Sequence, residues 1–204
     1  MPLWAKAVVF LGLIGLASIG YFTSSLWKGP SATQVPTNES DPEEIAKRPR
    51  LDDFILTDGE GQQKKLSEFR GNVVILSFWA SWCTPCLVEL PTFAEIEKKF
   101  HGEGLRVLAV NVDEGADGKT FAKELWSKKS FEFPSFFDAD KSLANKFEVD
   151  MLPANFVIDR QGRLAFSGFG ANDWTSPQNI EFIENLLQES PTAAEDAAPA
   201  PQGG

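Results

Sequence analysis

The chain is poor in the residues that build metal sites and cross-links. Its 204 residues contain two cysteines, Cys83 and Cys86, and one histidine, His101. A structural zinc site needs four ligands, so these residues are too few for a Cys/His site and we predict no metal. We expect His101, which follows a predicted helix, to be an exposed side chain favoured by the helix dipole.

Positive charge is also scarce. Lysine and arginine number 19 against 29 aspartates and glutamates, and the net charge is −10. A protein that binds nucleic acid needs a basic face for the phosphates, so we predict no nucleic-acid partner. Seven of the 29 acidic residues lie before residue 45 or after residue 188, which indicates a role in solubility and not an acidic binding patch.

Only one apolar run is long, and it stands at the N-terminus. The uncharged run Ala7–Phe22 lies between Lys6 and Lys28, and it is somewhat shorter than the roughly 20 residues that span a bilayer. Residues 1–28 are therefore predicted to be a membrane anchor or a cleaved signal segment. Either one exports the rest of the chain, so we expect the bacterial periplasm or the outer face of the membrane, an oxidising location where disulfides persist.

Composition divides the remainder into three parts. Residues 29–45 are rich in Pro, Ser, Thr and Asn and predict a flexible linker. Residues 190–204 are rich in Ala, Pro and Gly and predict a disordered tail. The globular domain is thus predicted over 46–189, a usual size for one domain.

Within this domain, predicted strands alternate with predicted helices. The apolar runs "NVVILSFWA" and "LRVLAVNVD" are typical of buried strands. "LVELPTFAEIEKKF", "DGKTFAKELWSKKS" and "KSLANKFEV" are predicted helices. A short strand, a turn at Asp58-Gly59 and a loop precede them, whereas a hairpin turned at Arg160–Gly162 and a helix started by Ser176 follow. This order predicts an α/β fold with a mixed central sheet flanked by helices.

The two cysteines, in "FWASWCTPC", allow three uses. A disulfide that closes so short a loop stabilises a fold by only about 2 kcal/mol on the chain-entropy model, so a purely structural bond is the weaker interpretation. A metal site lacks ligands. The third use is a pair that cycles between dithiol and disulfide, and we favour it.

The position of the pair supports redox chemistry. Cys83 and Cys86 follow a predicted strand and open a predicted helix, and Pro85 suits its first turn. Free N–H groups and the helix dipole favour a thiolate there, and such thiols have pKa values below the usual value of about 8.5. We expect Cys83, at the exposed mouth of the helix, to be the nucleophile and Cys86, a turn further in, to be the resolving thiol.

The segment "FILTDGEGQQKKLSEFRGNVVILSFWASWCTPCLVELP" resembles the TlpA/ResA-like branch of the thioredoxin superfamily, a group of membrane-anchored thiol–disulfide oxidoreductases. "FEVDMLPANFVIDRQGRL" resembles the later strand and hairpin of the same family. The resemblance extends over about residues 50–188. It implies a thioredoxin-like fold with an N-terminal strand extension and a redox-active Cys83–Cys86 disulfide.

The resemblance also implies two further active-site residues. Pro153 matches the cis-proline that faces the disulfide in this superfamily. Thioredoxin has a buried acid on the strand before the cysteines, where this chain has Ser77, and in the TlpA/ResA-like branch a glutamate at the position of Glu89 is associated with the active site. A buried carboxyl has a raised pKa, so Glu89 is a candidate to accept the proton of Cys86. Without the resemblance, a surface role for Glu89 is the simpler interpretation.

Four residues are predicted to contact the substrate. Trp82 offers an apolar surface beside the disulfide, although it is equally compatible with a packing role. Thr84 and Pro85, between the cysteines, contribute to the reduction potential, and the backbone at Leu152 is free to pair with an extended substrate segment.

These features predict an enzyme that reduces disulfides in specific extracytoplasmic client proteins, of the cytochrome c maturation type. A membrane-bound thiol reductant would re-reduce it, no flavin or NAD motif is present, and we expect a monomer without a bound cofactor. Two alternatives remain open, which are a thiol oxidase or isomerase and a redox-inactive binding module with the same fold.

Overall fold

The computed structural model describes residues 42–189. The predicted segment 1–28, most of the linker 29–45 and the tail 190–204 lie outside these residues. Within the described range no helix is long and apolar enough to cross a membrane. A short helix, α1 (Pro42–Lys47), overlaps the end of the predicted linker.

A mixed five-stranded sheet forms the centre of the domain, as predicted. Its strands stand in the order β5-β4-β3-β6-β7, with β3, β4 and β5 parallel and β6 and β7 antiparallel to their neighbours. They are β3 (Val73–Trp79), β4 (Leu105–Asn111), β5 (Ser135–Phe137), β6 (Ala154–Ile158) and β7 (Leu164–Phe169). All seven residues of β3 are buried, because this strand lies between β4 and β6 in the middle of the sheet.

The helices have the bounds that the apolar spacing predicts, to within a few residues. After α1 they are α2 (Thr84–Phe100), α3 (Gly115–Lys129), α4 (Ser142–Lys146) and α5 (Pro177–Gln188). Ser176 is the N-cap of α5, as predicted, and its side chain accepts a hydrogen bond from the backbone N–H of Asn179. A 3₁₀ turn (His101–Glu103) follows α2.

The region before β3 has more structure than the sequence predicts. The short strand β1 (Ile55–Thr57) was expected, but it pairs antiparallel with a second strand, β2 (Gln63–Lys65), and a 3₁₀ helix (Leu66–Phe69) replaces the predicted loop. Asp58 closes the hairpin, since its Oδ1 accepts hydrogen bonds from the N–H groups of Glu60 (2.9 Å) and Gln62 (2.8 Å). Every residue of β2 is exposed, so no alternation of apolar residues could mark it as a strand.

Two aromatic clusters form much of the core near the cysteines. In one, Phe147 packs on Phe156 at 4.8 Å between ring centroids and on Phe78 at 5.7 Å. In the other, Trp174 stacks on Phe93 of α2 at 5.4 Å and is fully buried. Aromatic pairs at these distances stabilise the fold beyond the burial of their area. The Phe93–Trp174 pair therefore fixes α2 against the loop that carries Trp174.

The start and the end of the domain are joined by a buried ion cluster. Arg48 donates two hydrogen bonds to the Glu189 carboxylate, both 2.9 Å, and one to Asp159 Oδ2 at 3.3 Å. The Arg48 and Asp159 side chains are almost inaccessible. Desolvation raises the pKa of Glu189, and the guanidinium of Arg48 opposes that rise. The carboxylates of Asp159 and Glu189 thus share one cation, the guanidinium of Arg48.

Removing that cation is expected to destabilise the fold strongly. Arg48→Met leaves two buried carboxylates without their shared cation, so we expect a loss of about 3 kcal/mol in the free energy of unfolding, measured by urea denaturation. Lys99→Met is the matched control, because Lys99 pairs with Glu184 at 3.4 Å on the surface and should change stability by less than about 0.5 kcal/mol. Equal losses in the two variants would contradict this role of Arg48.

Candidate active site

The two cysteines lie where the central strand passes into the longest helix. β3 ends at Trp79, three residues form a loop, and Cys83 is the N-cap of α2. The sulfurs of Cys83 and Cys86 are bonded at 2.05 Å, and Cys83 Sγ also accepts a hydrogen bond of 3.2 Å from the backbone N–H of Cys86. The structure contains the predicted disulfide, and Pro85 stands in the first turn of the helix.

Cys83 is less exposed than we expected. Its exposed fraction is 5%, and that of Cys86 is 1%. Cys83 nevertheless lines an open cavity of about 490 Å³, which Cys86 does not. The two sulfurs therefore differ in access as predicted, but the difference comes from the cavity and not from a freely exposed Cys83.

We call this cavity the disulfide groove. Its lining includes Trp82, Thr84, Pro85 and Leu152, the four residues predicted to contact substrate, together with Met151. Trp82 is 72% exposed, which agrees with a surface role and not with packing. A protein that bonds to Cys83 must therefore cover these side chains.

The predicted cis-proline directly follows Leu152, a residue that lines the groove. The Leu152–Pro153 peptide bond is cis, and the Pro153 carbonyl accepts a hydrogen bond of 2.8 Å from the N–H of Gly170. No backbone hydrogen bond within residues 42–189 uses the N–H or the carbonyl of Leu152. These groups are available to an extended chain lying in the groove.

Glu89 is buried, as the resemblance implies. It lies on α2 three residues after Cys86, and its exposed fraction is 2%. One oxygen, Oε1, accepts three hydrogen bonds, from Asn155 Nδ2 (2.8 Å), the backbone N–H of Asn172 (2.9 Å) and Trp174 Nε1 (3.0 Å). Desolvation raises the pKa of Glu89 to about 7 although these hydrogen bonds lower it. The carboxyl can therefore exchange a proton near neutral pH.

The buried carboxyl group of this site is on helix α2, as Glu89, and the preceding strand has Ser77 where thioredoxin has its buried acid. Ser77 is buried on β3 and stands opposite Asn155 of β6 in the sheet register. Asn155 in turn donates its hydrogen bond to Glu89. The carboxyl group of the site thus comes from α2 and is joined to the strand position through Asn155.

The three residues that donate hydrogen bonds to Glu89 were not predicted from the sequence. Asn155 had a recognisable signal, because it is a polar residue inside an apolar strand segment. Asn172 and Trp174 had none, since they lie more than 80 positions from Glu89 in the chain and their loop has no spacing that points to a site.

A fourth missed residue, Asp113, fixes the loop before Cys83. It follows β4, is 3% exposed, and its Oδ2 accepts hydrogen bonds from the backbone N–H of Ser81 (3.0 Å) and from Asn111 Nδ2 (2.8 Å). The Trp79 carbonyl accepts a further bond from the N–H of Val112 at 2.9 Å. The segment that presents Cys83 is therefore held by the end of the neighbouring strand.

His101 takes no part in this site. Its side chain is 60% exposed, and its Nδ1 lies 2.8 Å from Glu97 Oε1, one turn earlier. The other oxygen of Glu97 accepts a hydrogen bond of 2.7 Å from the N–H of Val107. His101 thus packs at the helix end, and among the described residues no group of three or more His, Cys, Asp or Glu side chains could hold a metal.

Burial of Glu89 should make the stability of the oxidised protein depend on pH. With a pKa of about 7 in the folded state against an ordinary 4.5, the folded protein retains a proton that the unfolded chain releases. Stability is then highest below the ordinary value and declines as pH rises through about 7. We expect Glu89→Gln to remove this decline, roughly 3 kcal/mol between about pH 5 and pH 8, in urea denaturation of the oxidised proteins.

The exposed Glu95 on the same helix provides the control. Glu95→Gln removes one carboxylate from α2 without touching the buried site. If the oxidised Glu89→Gln protein kept the wild-type dependence on pH, the assignment of a neutral, buried Glu89 would be wrong.

Comparison with known proteins agrees with this geometry. Residues 49–167 match the model of the AhpC/TSA family. The thiol-disulfide oxidoreductase ResA of Geobacillus kaustophilus is 36% identical over 112 residues, which are 55% of this chain and 63% of that protein. ResA of one Bacillus cereus strain is 31% identical over 137 residues, 67% of this chain and 73% of that protein. The chain thus spans less than two thirds of the Geobacillus relative.

Solved structures show the same fold. A structure named as a thiol:disulfide interchange protein DsbE, from Chlorobium tepidum, superposes with a TM-score of 0.61 at 30% identity, covering 69% of this chain and 97% of that one. The exposed lipoprotein thioredoxin Etrx1 of Streptococcus pneumoniae gives 0.55 at 29% identity, covering 66% and 98%. The predicted thioredoxin-like fold is therefore confirmed, and the chain belongs to the AhpC/TSA family of thioredoxin-like proteins as a homologue of the ResA thiol-disulfide oxidoreductases.

Proposed function

We propose that this chain is an exported thiol–disulfide oxidoreductase that reduces disulfides in specific extracytoplasmic client proteins. The observation that carries the proposal is a helix-capping disulfide, Cys83–Cys86, whose Cys83 lines an open groove. The names of the ResA and DsbE relatives support the reaction class. A role in cytochrome c maturation rests on the family resemblance alone.

In the first step the reduced protein attacks its client. The thiolate of Cys83, at the N-terminus of α2, attacks one sulfur of the client disulfide and displaces the other as a thiolate. Cys83 is suited to this step because it lines the groove whereas Cys86 does not. The product is a mixed disulfide between Cys83 and the client.

In the second step Cys86 resolves the mixed disulfide. Its thiol loses a proton and attacks the Cys83 sulfur, which releases the second client thiolate and forms the Cys83–Cys86 bond. Two electrons have then passed from the dithiol to the client disulfide. Glu89 is the proposed acceptor of the Cys86 proton, since it is buried one helical turn further on and has a pKa of about 7 in the oxidised protein.

The oxidised pair must then be reduced again. This step needs two electrons from another dithiol, and we propose a membrane-bound thiol reductant as their source. The sulfur atoms carry the electrons in both half-reactions, so the cycle requires no bound cofactor. The apolar run Ala7–Phe22 supports an extracytoplasmic location, with the N-terminal segment as an anchor or signal.

The direction of electron flow separates the proposal from a thiol oxidase or isomerase. We expect a Cys83–Cys86 reduction potential near that of thioredoxin, about −270 mV, from equilibration with glutathione buffers. A potential near that of the oxidant DsbA, about −120 mV, would contradict a reductant.

A simple turnover assay separates the proposal from a redox-inactive binding module. With dithiothreitol as the electron source, the reduced protein should accelerate the reduction of insulin disulfides, and Cys83→Ser should abolish the acceleration because the attacking sulfur is lost. Cys86→Ser, reduced beforehand and mixed with insulin in the absence of dithiothreitol, should instead accumulate the mixed disulfide. A wild-type rate equal to that of dithiothreitol alone would support the binding module.

The role of Glu89 is tested by the pH dependence of resolution. We expect Glu89→Gln to slow resolution of the mixed disulfide by roughly 100-fold or more, the range of general-base effects, and to change the pH profile of Cys86 alkylation in the reduced protein. Stopped-flow fluorescence and a pulse of iodoacetamide measure the two quantities. An unchanged profile would mean that Glu89 does not act on Cys86.

A further inference from the structure

A second cavity, of about 460 Å³, lies beside the disulfide groove. We call it the aromatic groove, because four of its six apolar lining residues are phenylalanines. The apolar lining is Leu51, Phe54, Phe147, Phe156, Leu164 and Phe169. Neither the disulfide chemistry nor Glu89 explains this groove.

The aromatic groove is built on one face of the sheet at its edge. Phe156 of β6 and Ser167 of β7 stand opposite each other in the register, and both line the groove. The ring of Phe156 lies 4.8 Å from Phe147 and 6.5 Å from Phe169. Because these rings pack on one another, the groove is already formed before anything binds.

Phe169 leaves part of this apolar surface open. It is 43% exposed although it belongs to a strand of the central sheet. β7 is the edge strand. The segment before β1 pairs only near its beginning, where Arg50 bridges to Arg163 and the N–H of Leu164 donates to the Pro49 carbonyl. An apolar side chain kept open beside a strand edge that no other strand of residues 42–189 covers is typical of a surface that receives another chain.

The aromatic groove is continuous with the disulfide groove. Asp150 lines both cavities, and the hydrogen bond from Gly170 to Pro153 holds the end of β7 against the cis-proline loop. An extended chain that pairs with the backbone at Leu152 would therefore pass Asp150 and reach Phe169.

The charges around the aromatic groove indicate which kind of polypeptide segment binds there. Asp52, Glu148 and Asp150 line it against one cation, Lys146. Such a rim favours a basic segment. It disfavours a second copy of this chain, whose net charge is −10, and the tail 190–204, which is acidic and has no large apolar residue.

We propose that the aromatic groove is a second subsite for the client polypeptide. It takes a large apolar side chain from the extended segment that flanks the client cysteine, next to a lysine or arginine that meets the acidic rim. The inference rests on the proposed function, and it makes the enzyme selective for clients whose cysteine lies in an apolar and basic sequence.

The test uses peptides of equal length, each with one cysteine held as a mixed disulfide with thionitrobenzoate. One series carries a Phe-Lys pair stepped from about two to six residues away on either side of the cysteine, and the matched series carries Ala-Glu. At the best spacing we expect the reduced wild-type protein to release thionitrobenzoate at least about tenfold faster from the Phe-Lys peptide, the gain from burying one large apolar side chain.

Two variants decide whether the groove causes this preference. Phe169→Ala should reduce the ratio between the two peptides to about twofold or less, and Glu148→Gln should lower the same ratio because the peptide lysine loses one of its acidic neighbours. Ile55→Ala is the control, since Ile55 is 51% exposed but lines neither groove, and it should keep the wild-type ratio. Each rate is divided by the rate of the same variant with the symmetrical disulfide of thionitrobenzoate. This removes any general change in the reactivity of Cys83.

Equal rates for the two series, or an unchanged ratio in Phe169→Ala, would overturn the subsite. Cysteine-to-serine peptides, titrated calorimetrically into the oxidised protein, separate this failure from failure of the proposed function. Binding that Phe169→Ala abolishes supports the subsite even if no disulfide is reduced. A dimer in size-exclusion chromatography that grows with concentration and is lost in Phe169→Ala would mean that a second copy occupies the groove, and the proposal would be wrong.

Discussion

Everything at the site depends on the backbone pairing of one strand on both of its sides. β3 is hydrogen-bonded to β4 in parallel and to β6 in antiparallel orientation, and all of its side chains are buried. The strand therefore cannot shift in register without breaking its pairing with both neighbours. Its end at Trp79 fixes where the chain turns, and the start of α2 at Thr84 fixes Cys83 as the helix cap. The reactive sulfur is thus placed by the most constrained element of the fold.

The same strand pairs organise the electrostatics. Asp113 at the end of β4 holds the loop before Cys83, and Asn155 on β6 holds Glu89. Three donors on one oxygen favour the charged form of Glu89, but desolvation has the larger effect and raises its pKa to about 7. A carboxyl at this balance can both take and return a proton near neutral pH, which a fully solvated glutamate would rarely do.

The parts of the molecule that could be predicted from sequence are those marked by local patterns. The apolar run of β3, the spacing of α2 and the pair Cys83–Cys86 each lie within a few consecutive residues. Burial of Glu89 was predictable only by resemblance, because its partners Asn172 and Trp174 come from a distant loop. The strand β2 was not predicted because its side chains are all exposed. The aromatic groove was not predicted because its lining comes from four separate segments of the chain. The low exposure of Cys83 was also missed, since it follows from how the walls of the groove pack around the sulfur.

The ion cluster at Arg48 has a consequence for the geometry of the described domain. Arg48 and Glu189, near the two ends of the described domain, meet at Asp159, which directly follows β6. Because β6 runs antiparallel to β3, Asp159 lies beside the beginning of β3, and Cys83 lies beyond its end. The seven residues of β3 separate the two places by about 20 Å. Arg48 and Glu189 therefore lie about one strand length from Cys83, so the two ends of the described domain leave the approach to the disulfide open.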